Sequence, residues 1–385
     1  MTERRTYDVA VIGAGVFGAW TAYLLSKSGR SVLLIDAYGP ANNRASSGDA
    51  SRIIRMGYGA DELYTRSAMR SLELWQEFAA KLNEPLFRPT GVLWLAHEDD
   101  PYPVATAETL QKAGVPFERL AVSEVARRYP QFNLDGLGWA MIEPESGVLM
   151  ARRAVQSVVN AAVRDGVDYL EYRIEPPRGQ GRLNYIATSN DERISAAEFV
   201  FACGPWLPKL FPDVLSGRIN PTRQEVFYFA APAGDKRFAP PLMPAWIDFK
   251  EEVYGLPDVD GSGIKLAIDH HGPRFDPDEG DRVATAAGLQ EIRERLSQRL
   301  PALRGAALVD ARVCQYENTS NGDFLIDRHS AFDNVWLVGG GSGHGFKHGP
   351  AVGEYVVARI DGSAEKVEPR FSLDSKAREQ RRMVY

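Results

Sequence analysis

A run of apolar residues at 7–12 ends in the glycine-rich turn VIGAGVFG, and residues 16–25 continue with small and apolar side chains at helical spacing. No other stretch restricts the fold so tightly. A second apolar run at 31–35 ends on Asp36 and completes a strand, turn, helix, strand unit of the Rossmann type. The three glycines act separately, since Gly13 permits the tight turn, Gly15 lets the backbone approach a pyrophosphate, and Gly18 brings the helix close to the strand. The helix N-terminus then faces the anion. Asp36 lies 23 residues after Gly13, where a carboxylate accepts hydrogen bonds from ribose hydroxyls and disfavours a 2′-phosphate. The unit predicts a dinucleotide site and leaves flavin and nicotinamide both open.

A chain of 385 residues buries a substantial core and suits two closely joined domains. With 44% hydrophobic and 25% charged residues, wholesale disorder is excluded. The net charge of -6 gives no electrostatic reason to expect a nucleic-acid partner. Arg4 and Arg5 before the first apolar run superficially suggest a secretory leader, but glycines interrupt that run and the nucleotide fingerprint occupies it. No stretch approaches the roughly 20 apolar residues of a membrane span, and only Cys203 and Cys314 are available for a disulfide. A cytoplasmic protein with no membrane contact is expected. The charged tail after Ser363 is expected to be partly loose.

Residues 42–51 are rich in Asn, Ser, Gly and Asp and read as a loop leading into Arg52, Ile53, Ile54 and Arg55. Taken alone, that run reads as the start of a surface helix with solvated arginines. Residues 91–96 read as a strand, 104–113 and 122–128 as short helices, and 151–163 as a longer helix. Residues 198–202 resemble another core strand; 221–231, 253–255 and 264–268 are strand-like, and 289–300 is a polar helix. Near the end, a strand at 335–338 enters GGGSGHGFKHGP and a helix follows at 351–360, which repeats the strand, glycine, helix pattern. The fold class is therefore α/β, with a Rossmann-type domain interleaved with an α+β substrate domain carrying a mainly antiparallel sheet. The first is assigned residues 1–85, 145–215 and 325–385, and the second 86–144 and 216–324. His270 and His271 lack companions at zinc spacing, so no metal is expected. Glu143 and Glu145 flank Pro144 in a turn-like EPESG segment and read as surface or edge residues without catalytic work. Cys203, in FACGPW, reads as structural.

Four separated segments carry a family resemblance: VIGAGVFG with Asp36, GDASRIIRMGYG, YGLPDVDGSGIKL, and CQYENTSNGDFLID followed by GGGSGHGFK. Together they span nearly the whole chain. The sequence resembles the D-amino-acid-oxidase-type flavoprotein superfamily, and within it most the branch of monomeric sarcosine oxidase and N-methyltryptophan oxidase. The three later segments, in this order and spacing, make the cofactor FAD. In that branch the flavin is attached through a cysteine sulfur. Cys314, ten residues before Phe324 in FLID and within C-x-Y-x-x-T, stands at the matching place. The resemblance gives Arg55 and Lys347 to the substrate carboxylate, the first as a planar fork and the second as a point charge. It puts Arg52 close to the flavin, and it assigns Gly343, His344, Gly345 and Lys347 to the cofactor as well. Lys265 matches the lysine that activates oxygen, where a cation stabilises developing superoxide. Tyr254, eleven residues before Lys265, and Tyr316 border the pocket.

Two departures bear on the substrate. GDASR is one residue longer than the branch pattern and lacks its preceding histidines, and Asp269 stands where the branch carries an active-site histidine. The resemblance therefore implies oxidation of a carboxylate-bearing amine or amino acid, secondary amines foremost, by a monomer. The imine product hydrolyses and oxygen becomes hydrogen peroxide. An FAD-dependent dehydrogenase using another acceptor is the alternative. A flavin-bearing binding protein with a vestigial site is a rival of another class, against which stands the joint presence of Cys314, Lys265, Arg55 and Lys347.

Overall fold

Parallel pairing on both sides of the strand Thr6–Ile12 organises the first sheet: Val32–Asp36 lies along one edge and Arg193–Phe201 along the other. The structure, a computed structural model, describes residues 6–364 and 366–379, so Arg4 and Arg5 lie outside the described residues. The order across this sheet is Leu325–Arg328, Val335–Gly339, Arg193–Phe201, Thr6–Ile12, Val32–Asp36 and Asp168–Glu171, with Ile186–Ala187 paired to Arg193–Phe201. Leu325–Arg328 runs antiparallel at the edge. Central strands buried on both faces need continuous apolar runs, which is what residues 9–12 and 32–35 provide.

The helix Val16–Lys27 is apolar nearly all round, because it lies between the sheet and the helices Gly349–Asp361 and Ala151–Arg164. Trp20 meets Trp75, Phe78 and Tyr23 edge to face there. Two glycines set the approach of this helix to the sheet. Gly13 has φ +105°, and a Cβ on it would stand 2.3 Å from the Ala202 carbonyl oxygen. A Cβ on Gly18 would stand 1.8 Å from the Gly13 carbonyl oxygen.

The second sheet has eight strands in the order Leu308–Thr319, Ile219–Phe229, Ile264–Ile268, Val253–Leu256, Ala245–Asp248, Val92–Ala96, Trp139–Glu143 and Glu118–Ala121. Every neighbouring pair is antiparallel except Ala245–Asp248 with Val92–Ala96. Alternation along the strands gives the sheet two distinct faces. Phe227, Phe229, Ile264 and Leu266 pack with Ile292 and Leu296 of the helix Ala286–Arg299. Val226, Tyr228 and Ala267 point the other way, towards Ala50, Tyr254 and Cys314.

One expectation is corrected. Residues 52–54 form a strand, not a helix start: Arg52–Ile54 pairs antiparallel with Gly147–Leu149, which also pairs with Phe87–Arg88. The partner strand lies almost a hundred residues away in sequence, so local pattern could not reveal it. The tail is packed in places, and residues 380–385 lie outside the described residues. Arg370 bridges Asp61 and Asp323, Phe371 and Leu373 are buried, and Lys376 is 2% exposed. No helix among the described residues is long and apolar enough to cross a membrane.

Gly18→Ala forces a methyl against backbone. Overpacking of this kind costs about 1–3 kcal/mol, so its denaturant midpoint should fall clearly. Equal midpoints for wild type and Gly18→Ala would contradict the close approach described here.

Candidate active site

One cleft is lined by Asp36 and Cys314 together, with Gly13, Gly15 and the turn Gly341–Gly345 contributing to its walls. Gly15 is the N-cap of the helix Val16–Lys27, and its backbone is open towards the cleft: a methyl placed on it would have Ser47 Oγ, at 3.6 Å, as its nearest neighbour. Asp36 accepts from the Ala14 N–H at 2.7 Å and the Tyr38 N–H at 2.8 Å. Burial raises its pKa against the effect of those two donors. Ser46 Oγ, Gln315 Oε1 and Glu317 Oε2 all belong to residues of the cleft wall, and each is buried with no hydrogen-bond partner among the described residues. Buried polar atoms are seldom left so. Burial pushes the Glu317 carboxyl up to about 7, while the Gly341 N–H donates to its other oxygen.

Strand alternation assembles the next part of the site. Lys265 is opposite Tyr228, and Cys314 is opposite Gln224 in the next ladder. Lys265, Tyr228, Tyr254, Cys314 and Tyr316 consequently share the face turned away from the helix Ala286–Arg299. Cys314 is half-buried, and its Sγ receives a contact from Arg52 Nη2 at 3.4 Å. Arg52 also donates to Asp49 Oδ2 at 2.7 Å and to the Ser46 carbonyl at 2.8 Å. Lys265 is 1% exposed, and Nζ donates to Asp49 Oδ2 at 2.6 Å and to the Ser51 carbonyl at 2.7 Å. The Tyr316 hydroxyl donates to Asp269 Oδ1 at 3.0 Å. Cys203 lines the same cleft at the strand end, its Sγ donating to the Ile12 carbonyl, and burial pushes its thiol up.

Beside this face lies a second group of cations. Arg55 is buried, with its guanidinium over the rings of Tyr58 at 4.5 Å, Phe249 at 5.1 Å and Trp94 at 5.2 Å. It also donates to the Gly57 carbonyl. Lys347 Nζ donates to the Tyr58 hydroxyl at 2.7 Å and to the His344 carbonyl at 3.0 Å. No carboxylate among the described residues lies within an ion-pair distance of it. Burial, with Arg55 adding to it, brings the Lys347 pKa well below the usual lysine range. Tyr58 is the hub between them, meeting His348 Nε2 at 2.7 Å and His344 Nδ1 at 3.3 Å. His344 turns its ring into an aromatic cluster with Phe324 and Tyr64, whereas Gly343 and Gly345 line the cleft.

Glu143 overturns the reading of EPESG as surface. It is fully buried at the end of the strand Trp139–Glu143, although Glu145 is exposed as expected. Its carboxylate accepts from the Met56 and Gly57 N–H groups, Trp94 Nε1 at 2.8 Å and Ser146 Oγ at 2.6 Å. The turn following Arg55 and one of the rings beneath its guanidinium are thus fixed by one acid. Apolar neighbours in sequence, Met141 and Ile142, were the signal that could have marked it. Asp49, Tyr58, Glu143 and His348 were all missed, because each is recruited by contacts across more than 80 residues.

The profile of the family described as FAD dependent oxidoreductase matches residues 8–359. The chain belongs to that family. It is 32% identical over 361 residues to a monomeric sarcosine oxidase of Streptomyces avermitilis, covering 91% of this chain and 92% of that protein. An N-methyl-L-tryptophan oxidase of Salmonella arizonae is 28% identical, covering 95% and 97%. Among solved structures, the L-proline dehydrogenase of P. horikoshii superposes with a TM-score of 0.83 at 22% identity, over 96% of this chain and 97% of that one, which is a likeness of fold. The cleft fits FAD: the open Gly15 backbone suits a pyrophosphate, and the orphaned Ser46, Gln315 and Glu317 atoms suit a ligand rich in hydroxyls. There is no cluster of metal-ligating side chains among the described residues.

An anion placed beside Lys347 raises its pKa again. Binding of a simple carboxylate should therefore take up as much as one proton, read from calorimetry in buffers of different ionisation enthalpy. Affinity should fall as pH rises through the depressed lysine value of the free protein. Lys347→Met should remove the proton uptake; an unchanged uptake in that variant would assign it to another group.

Proposed function

We propose that this protein oxidises a carboxylate-bearing amine or amino acid, secondary amines foremost, to an imine, with FAD held in the cleft and oxygen reduced to hydrogen peroxide. The observation that carries this reading is the arrangement of Arg55 and Lys347 around Tyr58, beside a sheet face that presents Lys265 and Cys314. Two buried cations at one place suit an anionic group on the substrate. The amine gives up two electrons and two protons from its C–H and N–H, and oxygen takes up both to become hydrogen peroxide. Bound FAD supplies the intermediate two-electron carrier. Water then hydrolyses the imine to a carbonyl compound and an amine.

Within this reading, Gly13, Gly15, Asp36, Gly343 and Gly345 hold the dinucleotide, and Arg52 steadies its ring end. Gly18 acts indirectly, through helix packing. Cys314 Sγ, 3.4 Å from Arg52 Nη2, carries the covalent tether. Arg55 and Lys347 bind the carboxylate and so orient the carbon next to nitrogen. Tyr254 and Tyr316 border the amine. Lys265 stabilises negative charge developing on oxygen. Residues 1–85, 145–215 and 325–385 form the FAD-binding domain, and 86–144 with 216–324 form the substrate domain. The working form is a cytoplasmic monomer.

An aerobic peroxide assay across sarcosine, larger N-alkyl amino acids and cyclic imino acids, each paired with its decarboxylated analogue, tests the activity. Oxidation of the acids alone is expected; dye reduction without oxygen uptake would make the protein a dehydrogenase. Each charge-assisted hydrogen bond is worth about 1.5–3 kcal/mol, so Arg55→Ala should weaken carboxylate inhibitors about tenfold to over a hundredfold without lowering flavin content. Unchanged inhibitor affinity would remove Arg55 from the carboxylate site. Acid denaturation should leave flavin on the wild-type protein and release it from Cys314→Ser. Full release from both would show that there is no tether.

A further inference from the structure

Asp49 is 5% exposed, in the loop before the strand Arg52–Ile54, and every hydrogen bond its carboxylate makes is accepted. Oδ2 takes Lys265 Nζ at 2.6 Å and Arg52 Nη1 at 2.7 Å; Oδ1 takes the Tyr228 hydroxyl at 2.6 Å and the Ala50 N–H at 2.7 Å. The Arg312 guanidinium approaches Oδ1 at 3.7 Å. One acid from a loop thus joins two strands of the sheet, through Tyr228 and Lys265, to the start of a third strand at Arg52.

We infer that Asp49 is a positioning residue for the reaction with oxygen, holding the buried Lys265 side chain in its ammonium form and fixed against the loop. The inference rests on the reading of Lys265 as the group that serves oxygen. Burial and Arg52 lower the Lys265 pKa while Asp49 opposes them, and the balance leaves it at about 8. Burial also disfavours the Asp49 anion, but Lys265 and Arg52 outweigh it and keep that carboxyl well below the usual range. The charged and titratable groups around the lysine are Asp49 and Arg52 from the loop and strand, Tyr228 from one neighbouring strand, Tyr254 from the other, and Arg312 and Cys314 beyond Tyr228. Asp49 is the carboxylate among these. Without it, Lys265 and Arg52 are two like charges in one buried place, and only the lysine can release its proton. Loss of Asp49 therefore discharges Lys265 and leaves Arg52 charged.

The test is the pH dependence of reoxidation of the holoenzyme, reduced anaerobically with dithionite and mixed with oxygen. In wild type the rate should fall as pH rises through the lysine pKa. Asp49→Asn should move that limb down by about one to three pH units, slow reoxidation about tenfold near pH 7.5, and recover towards the wild-type rate in acid. The visible absorption of the bound flavin, titrated without turnover, should move by the same amount. Should Asp49→Asn give no folded holoenzyme, Tyr228→Phe serves instead: it removes a neutral donor from the carboxylate, which then favours the ammonium more, and moves the limb up. A limb that stays in place in the variant examined, with Lys265→Met slow, overturns the role of Asp49 alone. Reoxidation of Lys265→Met at the wild-type rate overturns the reading of Lys265, and the role of Asp49 with it.

Discussion

The register between the long strands Ile219–Phe229 and Leu308–Thr319 is the constraint on which the site depends. Thr222 stands opposite Tyr316, Gln224 opposite Cys314, and in the adjoining ladder Tyr228 stands opposite Lys265. Because side chains alternate with a period of two, a slip of one residue would send a strand's whole set to the opposite face. Tyr228 or Lys265 would then leave the face they share with Cys314 for the side packed on the helix Ala286–Arg299. That helix face prevents the slip, since Phe227, Phe229 and Leu266 would have to surrender their places among Ile292 and Leu296. The apolar core on one side thus fixes the chemistry on the other. The ladder between the two long strands is regular from Ile219 to Tyr228 and becomes irregular only between Tyr228 and Phe229, past the last residue the site uses.

Charge is handled differently in the two halves of the site. Near Cys314 the cations Lys265 and Arg52 meet a carboxylate directly, at ion-pair distances. Around Tyr58 the buried acid Glu143 takes neutral donors instead, two backbone N–H groups, an indole and a hydroxyl. Those donors satisfy its lone pairs without engaging the Lys347 ammonium, which sees Glu143 only at longer range. An unpaired buried ammonium is costly and yields its proton readily. Burial has the same sign at His348, whose pKa it drives well down, so the hydrogen bond to Tyr58 is one of a neutral imidazole.

The nucleotide unit was legible because it is local: glycine turn, helix and Asp36 fall within thirty residues, and each has a steric or polar reason. The strand at 264–268 and the helix at 122–128 were also readable with their true limits, being short, strongly patterned and bounded by turns. The run at 52–55 was not, because a three-residue strand in a small sheet takes its identity from the partner Gly147–Leu149. The same holds for Glu143. Proline and glycine beside an acid signal a turn, and nothing nearby says that the acid points inward to Met56 and Gly57. Resemblance supplied Arg55, Lys265, Cys314, Lys347, Tyr254 and Tyr316 as candidates, while Asp49, Glu143, Tyr58 and Tyr228 had to be read from the fold.

The strand order of the first sheet has a consequence for how the chain is made. Thr6–Ile12 leaves the ribosome before its partners and soon finds Val32–Asp36, but its other edge waits for Arg193–Phe201. That strand in turn waits for Val335–Gly339, more than 130 residues further on. Through most of synthesis the nascent sheet therefore carries an apolar edge with unpaired backbone groups, the condition that invites pairing with a neighbouring chain. The floor of the cofactor cleft can close only after Val335–Gly339 has left the exit tunnel, which makes flavin capture a late event by topology.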